Sequence, residues 1–242
     1  LENKEIKEKI INYKIEKIEK KENGFLVTSE LKQNKIYSVY TKNIIIATGA
    51  SPKILEKIST LNSKFIKYCG LCDGFTYQKK DVIIVGGGNA AFEEAIYLKK
   101  IVKSITILIR SKPRALAIYQ NKIKNEKKIK VIEKIEISSV KELKENKIQL
   151  ILSNNQKLIC DGIFVKIGFF PNTKLLSELN VNLDDNGYIK QHPTNFNSYE
   201  TNVPGIYAVG DVRADTEKQI TIAVDSAIKC ILEIQKKKKI DN

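Results

Sequence analysis

The chain has no methionine, no tryptophan, five prolines and a single histidine, His192, among its 242 residues. One imidazole is too few for the usual Cys and His zinc centres, which need about four ligands and draw them from a second Cys or His pair. Of the four cysteines, Cys69 and Cys72 stand close together while Cys160 and Cys230 stand alone, so no metal site is expected. His192 sits in a Pro-Thr-Asn context and reads as a loop residue rather than a base. No apolar stretch approaches the roughly 20 residues of a membrane-spanning helix. No signal-peptide pattern opens the chain, and a soluble cytoplasmic protein is the expectation. Acidic residues are also in short supply: 28 Asp and Glu against 42 Lys and Arg leave a formal charge of +14. The lysines are spread among abundant isoleucine and asparagine, with no interleaving of aromatic and basic residues, so nucleic acid is not the expected partner. Lys236 to Lys239 reads as a solvated tail.

What is present begins with 42 % hydrophobic content, enough for a substantial core and for two domains of ordinary size. The informative stretch runs from Tyr68 to Phe92, YCGLCDGFTYQKKDVIIVGGGNAAF. Val82 to Val85 is a short β-branched run, Gly86-x-Gly88-x-x-Ala91 turns out of it, and the residues to Ile101 carry helical periodicity. Strand, turn and helix are the context that a dinucleotide-binding fingerprint requires. Gly86 permits the tight turn, Gly88 lets a pyrophosphate approach the backbone, and Ala91 lets the helix pack on its strand. The helix N-terminus then faces the phosphates. Just upstream, a Cys-x-x-Cys loop is short enough to oxidise and reduce repeatedly, and a thiol at a helix start or beside a cation ionises more readily. At the end of the second strand, Ser104 to Ile109, an NAD site would place an acid for the ribose hydroxyl. Here Arg110, Lys112 and Arg114 stand instead, a cluster suited to a 2′-phosphate, although cations with no ligand are the plainer alternative.

Elsewhere, Glu2 to Ile10 reads as the end of a polar helix. Tyr13 to Lys20, Phe25 to Ser29 and Lys35 to Thr41 read as an antiparallel meander with a turn at Glu22-Asn23-Gly24. Ile44 to Ala47 reads as a buried strand ending at Thr48-Gly49-Ala50. Lys128 to Val140, Gln149 to Ser153 and Lys157 to Cys160 alternate as an inserted meander, and Ile163 to Ile167 returns to a central strand. Asp185-Asn186-Gly187 is a hairpin signal. Ile206 to Val209 reads as a strand and Gln219 to Ile234 as a helix.

Cys-Gly-Leu-Cys-Asp-Gly followed by Val-Gly-Gly-Gly-Asn-Ala-Ala-Phe-Glu-Glu-Ala resembles the low-molecular-weight thioredoxin reductase family. The resemblance runs along nearly the whole chain, through Ala47-Thr48-Gly49-Ala50, Ile167-Gly168 with Pro171-Asn172-Thr173, and Val203 to Arg213 with Lys218-Gln219-Ile220 behind it. It implies an α/β two-domain pyridine nucleotide-disulfide oxidoreductase fold with Rossmann-like three-layer domains. The FAD domain would be split, residues 1–51 and 170–242, around an NADPH domain of residues 52–169 that carries the cysteines. The chain enters the family pattern without its first glycine turn and contains no methionine, so an N-terminally truncated FAD domain is the expectation.

The resemblance further implies FAD and NADPH as cofactors, thioredoxin as the protein substrate and a homodimer. Cys72 would face the flavin, Cys69 would attack the partner disulfide, and Asp73 would give or take the proton. Cofactor contacts are implied for Thr48, Gly49, Gly86, Gly87, Gly88, Asn89, Ala90, Ala91, Glu94, Arg110, Arg114, Gly168, Gly210, Asp211, Gln219 and Ile220. Rotation about crossings near Ala50 to Pro52 and Phe170 to Pro171 would let the disulfide meet flavin and partner in turn. The family usually reads His-Arg-Arg-x-x-x-Arg where this chain reads Ile109-Arg110-Ser111-Lys112-Pro113-Arg114, so one arginine is missing. Two rivals remain open at this point: the same fold with another partner, such as a peroxiredoxin or glutaredoxin-like protein or a ferredoxin-type donor, and a non-catalytic nucleotide-binding remnant.

Overall fold

The computed structural model describes residues 12–30, 36–195, 197–214 and 216–240. It divides into two compact units, one of Leu1–Ser51 with Phe170–Asn242 and one of Pro52–Phe169. The polar helix expected over Glu2 to Ile10 lies outside the described residues.

In chain order the first unit contributes β1 (Ile15–Lys21), β2 (Gly24–Ser29), β3 (Ser38–Thr41), β4 (Ile44–Ile46) and β5 (Ala50–Pro52). β1, β2 and β3 form the antiparallel meander expected of their alternation, with Ile18 opposite Val27 and Leu26 opposite Tyr40. Its buried side, Ile18 and Phe25, packs against Ile46 and Ile206. The strand at Ile44 is less buried than its sequence suggests, since Ile45 is 40 % exposed. It is short and, among the described residues, pairs on one side only, in parallel, with β15 (Ile206–Ala208), Ile45 opposite Tyr207.

The second unit follows as β6 (Ile66–Lys67), α1 (Gly70–Asp73), β7 (Asp81–Val85), α2 (Asn89–Leu98), β8 (Ser104–Ile109), α3 (Ala117–Ile123), β9 (Ile129–Glu133), β10 (Ile137–Glu142), β11 (Ile148–Leu152), β12 (Lys157–Cys160) and β13 (Gly162–Val165). Five parallel strands lie in the order β6-β13-β7-β8-β9. Successive side chains on a strand point to opposite faces, and here each face has its own cover. Val82, Ile84, Ile105 and Ile107 pack under α2 against Ala91, Phe92, Ala95 and Leu98. Ile83, Leu108, Ile163 and Val165 pack against Ile148, Leu150 and Leu152 of the β10-β11-β12 meander. Burial on both faces is why these strands read as continuous apolar runs.

Two expectations need correction here. Lys128 to Val140 does not all belong to the inserted meander. Its first half is β9, the edge of the parallel sheet, and only β10 onward turns into the antiparallel layer. Between β8 and β9 the chain forms α3, which the sequence reading missed because the segment is short and only Ile123 is buried.

The chain returns to the first unit within β14 (Phe169–Pro171), which pairs with β5, and its last described element is α4 (Ile220–Ile240). That helix is longer than the expected Gln219 to Ile234. It takes in Lys236 to Lys239, placed in a tail by sequence, as the basic last turns of a helix whose C-terminal dipole favours cations. Glu233 holds α4 down by accepting from the Tyr199 N–H at 2.7 Å and from the Ser198 hydroxyl.

Candidate nucleotide pocket and redox disulfide

β7, β8 and β13 end side by side, and in open parallel sheets the crevice beyond the carboxyl ends of the strands is where ligands bind. A cavity of about 810 Å³ opens there, wholly within the second unit. Gly86 to Ala90 form one wall of it. Gly86 has φ +151°, and a Cβ built on it would lie 2.3 Å from the Lys166 carbonyl oxygen, so no other residue fits where β7 passes β13. Nothing lies within 4 Å of the Cβ position of Gly88, which leaves the backbone of the turn open to the cavity. Ala91 is fully buried in the helix–sheet contact.

The basic segment after β8 is docked onto this turn by its backbone. The Gly87 carbonyl accepts from the Arg114 and Ala115 N–H groups at 2.7 and 3.1 Å, and Asn89 Oδ1 accepts from the Leu116 N–H at 2.9 Å. Arg110, Lys112 and Arg114 thereby line the cavity together with Lys53, Lys57 and Lys166, while Glu136 is its one carboxylate. Glu136 lies 3.9 Å from Arg110 Nε. Gly168, with φ +99°, closes the wall after β13. The sequence reading did not foresee Lys53, Lys57 or Glu136, whose approach depends on strand order rather than on spacing.

Cys69 and Cys72 form a disulfide with Cα atoms 5.4 Å apart. Cys69 caps α1, its Sγ accepting from the Cys72 N–H at 3.1 Å. Asp73 follows, its carboxylate 3.7 Å from Lys67 Nζ. Leu71 and Phe75 beside the pair are 56 % and 70 % exposed. The other two cysteines are buried, and burial pushes the Cys160 thiol up to about 12 and the Cys230 thiol up to about 11. Glu94, grouped by sequence with the cofactor residues, does not line the cavity. It is buried on α2 beneath Gly70, its carboxyl raised by burial against the opposing charge of Lys166.

In the first unit, Thr48, Gly49, Gly210, Asp211, Gln219 and Ile220 lie on two turns and a helix start. Gly49 and Gly210 adopt left-handed φ of +67° and +70°. Asn172 fixes the first turn: its backbone N–H donates to the Gly49 carbonyl at 3.0 Å and its side-chain amide to the Thr48 carbonyl at 2.9 Å. Gly210 N–H donates to Ser226 on α4 at 2.9 Å, which holds the Gly210–Asp211 turn against the helix that Ile220 begins. His192 Nδ1 accepts from the Asn195 N–H at 3.2 Å, organising its own loop. Among the described residues no cluster of His, Cys, Asp and Glu could hold a metal ion, and no helix is long and apolar enough to cross a membrane.

Residues 2–227 match the pyridine nucleotide-disulphide oxidoreductase family. A 34.2 kDa protein in the rubredoxin operon of Clostridium pasteurianum is 37 % identical over 231 residues, covering 92 % of this chain and 71 % of that protein. Thioredoxin reductase of Rickettsia prowazekii is 35 % identical over 204 residues, covering 80 % of this chain and 64 % of the relative. Among solved structures, thioredoxin reductase from Streptococcus pyogenes superposes with a TM-score of 0.72 at 28 % identity, covering 90 % of this chain and 71 % of that one. Thioredoxin reductase from Giardia duodenalis superposes with a TM-score of 0.77 at 26 % identity, covering 93 % and 74 %. The chain thus spans about two thirds to three quarters of these relatives' length.

Proposed function

The chain belongs to the pyridine nucleotide-disulphide oxidoreductase family, and from that premise we propose that it works as a thioredoxin-disulfide reductase. The observation that carries the reading is a closed Cys69–Cys72 disulfide in the same compact unit as a glycine-walled, cation-lined nucleotide pocket.

The residues present fit NADPH and part of an FAD site, the two cofactors that this activity requires. A cavity of about 810 Å³ lies within the size range of small-molecule and cofactor sites, roughly 300–1,000 Å³. Its glycine turn offers backbone N–H groups and its cations outnumber a single carboxylate, which suits a phosphorylated ribose. Arg110, Lys112 and Arg114 would take the 2′-phosphate of NADPH, and Gly86 to Ala90 its pyrophosphate. For FAD, the open, left-handed Gly49 turn and the Gly210–Asp211 turn at the head of α4 supply the kind of cradle a ribityl-phosphate chain needs. When bound, NADPH supplies hydride and FAD relays its two electrons to the disulfide.

The chain's own residues govern the thiol steps. Breaking the Cys69–Cys72 bond takes two electrons and two protons, and Asp73, next to Cys72 in the chain, would hold one of them. As a thiolate, Cys69 then attacks the partner disulfide and forms a mixed disulfide. Cys72 attacks Cys69 in turn, which restores the internal disulfide and releases the partner as a dithiol. Exposed Leu71 and Phe75 give a protein partner apolar surface to meet beside the cysteines. Thioredoxin is the partner, the cytoplasm the compartment, and a homodimer the working form in this reading.

The test is an anaerobic NADPH titration in the presence of FAD, followed by flavin bleaching and then by reduction of thioredoxin, beside a Cys72→Ser variant. Bleaching with turnover that is lost only in the variant is expected. Bleaching without thioredoxin turnover would redirect the activity to another protein disulfide. Absence of flavin binding would sink the reductase reading for this chain.

A further inference from the structure

A buried ionic pair stands between the pocket and the disulfide within the second unit. Lys166 Nζ lies 3.2 Å from Glu94 Oε2, with the two side chains only 14 % and 9 % exposed. The same ammonium donates to the Tyr68 carbonyl at 2.8 Å, immediately before Cys69. The carboxylate sits under the next residue. A Cβ on Gly70 would be 2.8 Å from Glu94 Cδ and Oε1, so glycine is what allows the carboxyl to lie against the backbone at the head of α1. Burial raises the Glu94 carboxyl, and Lys166 and a backbone hydrogen bond from Gly70 act against it. A buried ion pair is retained at a cost in desolvation.

We propose that Glu94 and Lys166 are a positioning pair for the redox turn, pinning Tyr68 and Gly70 on either side of Cys69 and setting the reduction potential of Cys69–Cys72. The proposal deepens the redox reading above and rests on it. Among the described residues Lys67 and Asp73 also face the turn, paired with each other at 3.7 Å, and Asp73 adds its negative charge at Glu94, so the buried Glu94–Lys166 pair is the element to vary. Positive charge beside the cysteines favours the thiolate of the reduced form, and negative charge favours the disulfide. Lys166 also lines the nucleotide cavity, so the residue that steadies the disulfide touches the site where the reductant would bind.

The experiment needs neither cofactor. The chain is equilibrated with reduced and oxidised glutathione at pH 8, and the fraction of Cys69–Cys72 dithiol is read by alkylation and mass spectrometry. Two glutathione thiols are oxidised to one disulfide as the Cys69–Cys72 bond breaks and each sulfur gains a hydrogen. Buried Cys160 and Cys230, with raised thiols, stay silent. Glu94→Gln, which leaves the ammonium uncompensated, should shift the equilibrium toward dithiol by about tenfold, or about 30 mV. Lys166→Met should shift it toward disulfide, and Lys166→Arg should restore the wild-type value. If the pair merely stabilises the fold, its loss lowers the melting temperature of both variants and moves their thiol–disulfide equilibria the same way or not at all; that result overturns the proposal. Should a single variant fail to melt cooperatively, Glu94→Leu/Lys166→Met replaces the pair with apolar groups, which proteins commonly tolerate, and must leave the potential different from that of Lys166→Arg. A wild-type pair that does not reoxidise reversibly would instead overturn the redox reading itself.

Discussion

Alanine at Gly86 and alanine at Gly88 should have opposite consequences, although the residues are two apart in one turn. At Gly86 the backbone has φ +151° and the new methyl would meet the Lys166 carbonyl oxygen at 2.3 Å, a backbone atom that cannot swing aside. A glycine-only conformation costs about 1–3 kcal/mol for another residue, and the overlap forces β7 and β13 apart in addition. A loss of about 3 kcal/mol or more follows, which for a chain of this size lowers the melting temperature by roughly 6–12 °C. At Gly88 nothing lies within 4 Å of the Cβ position, and φ of −92° suits any residue. Stability should change by less than about 1 kcal/mol, because the weaker N-cap is offset by the stiffer unfolded chain. The methyl would instead occupy the space through which a pyrophosphate approaches. Losing one or two charge-assisted hydrogen bonds, at about 1.5–3 kcal/mol each, should weaken NADPH binding by ten- to a hundredfold or more. Calorimetric melting and NADPH fluorescence titration on both variants decide the matter. If Gly88→Ala binds NADPH within twofold of wild type, the pyrophosphate does not lie on this turn and the pocket assignment is wrong.

Arg110→Ala and Arg114→Ala should each weaken NADPH by about ten- to a hundredfold, the worth of one charge-assisted contact, and leave NADH nearly unchanged. Equal losses for the two nucleotides in parallel titrations would mean the cluster does not read the 2′-phosphate. Asp81 gives a pH prediction. Burial pushes its carboxyl up, but the Ser104 hydroxyl at 2.6 Å and the Lys103 ammonium at 3.1 Å prevail and hold it below its ordinary 3.8. The unfolded chain then binds the proton more readily, so this stabilisation is complete above the unfolded value and is lost as pH falls through the lower folded one. Denaturant melts between pH 2 and 7 should show a shallower acid loss in Asp81→Asn.

How far the sequence reached depended on whether a feature is local. The apolar run of β7, its glycine turn and the periodic helix after it are written in consecutive residues, and a β-α-β unit followed from them, while the three-layer two-domain architecture was implied by the family resemblance. The cysteine pair is equally local, with one residue forming the N-cap of a short helix and the other closing on it. What escaped was decided by partners far along the chain. β9 reads like the meander strands beside it and differs only in pairing with β8. Asn89 and Asn172 are ordinary polar residues until their amides reach Leu116 and Thr48. Glu94 follows another glutamate on α2, and periodicity cannot say that one of the two is buried under Gly70 against Lys166. Lys53 and Lys57 enter the cavity because strand order brings them to it.

The same long-range pairing sets an order of assembly. The second unit is one continuous segment, Pro52–Phe169, and its ends are already joined inside it, Lys53 N–H donating to the Gly168 carbonyl at 2.9 Å. The first unit is discontinuous and needs β4 to pair with β15 across that whole segment. Closing a flexible loop of this length costs about 4 kcal/mol, and a folded second unit removes most of that cost by holding the two crossings together. Destabilisation should therefore pass in one direction. Leu150→Ala, at a fully buried site in the meander layer, removes about 2–5 kcal/mol from the second unit. Amide protons of β4 and β15 should then lose protection along with those of β7 and β8. Ile206→Ala, equally buried in the first unit, should release β4 and β15 and leave β7 and β8 protected. Hydrogen exchange read segment by segment on both variants tests this, and equal loss in both units for Ile206→Ala would show that the two fold as one cooperative body instead.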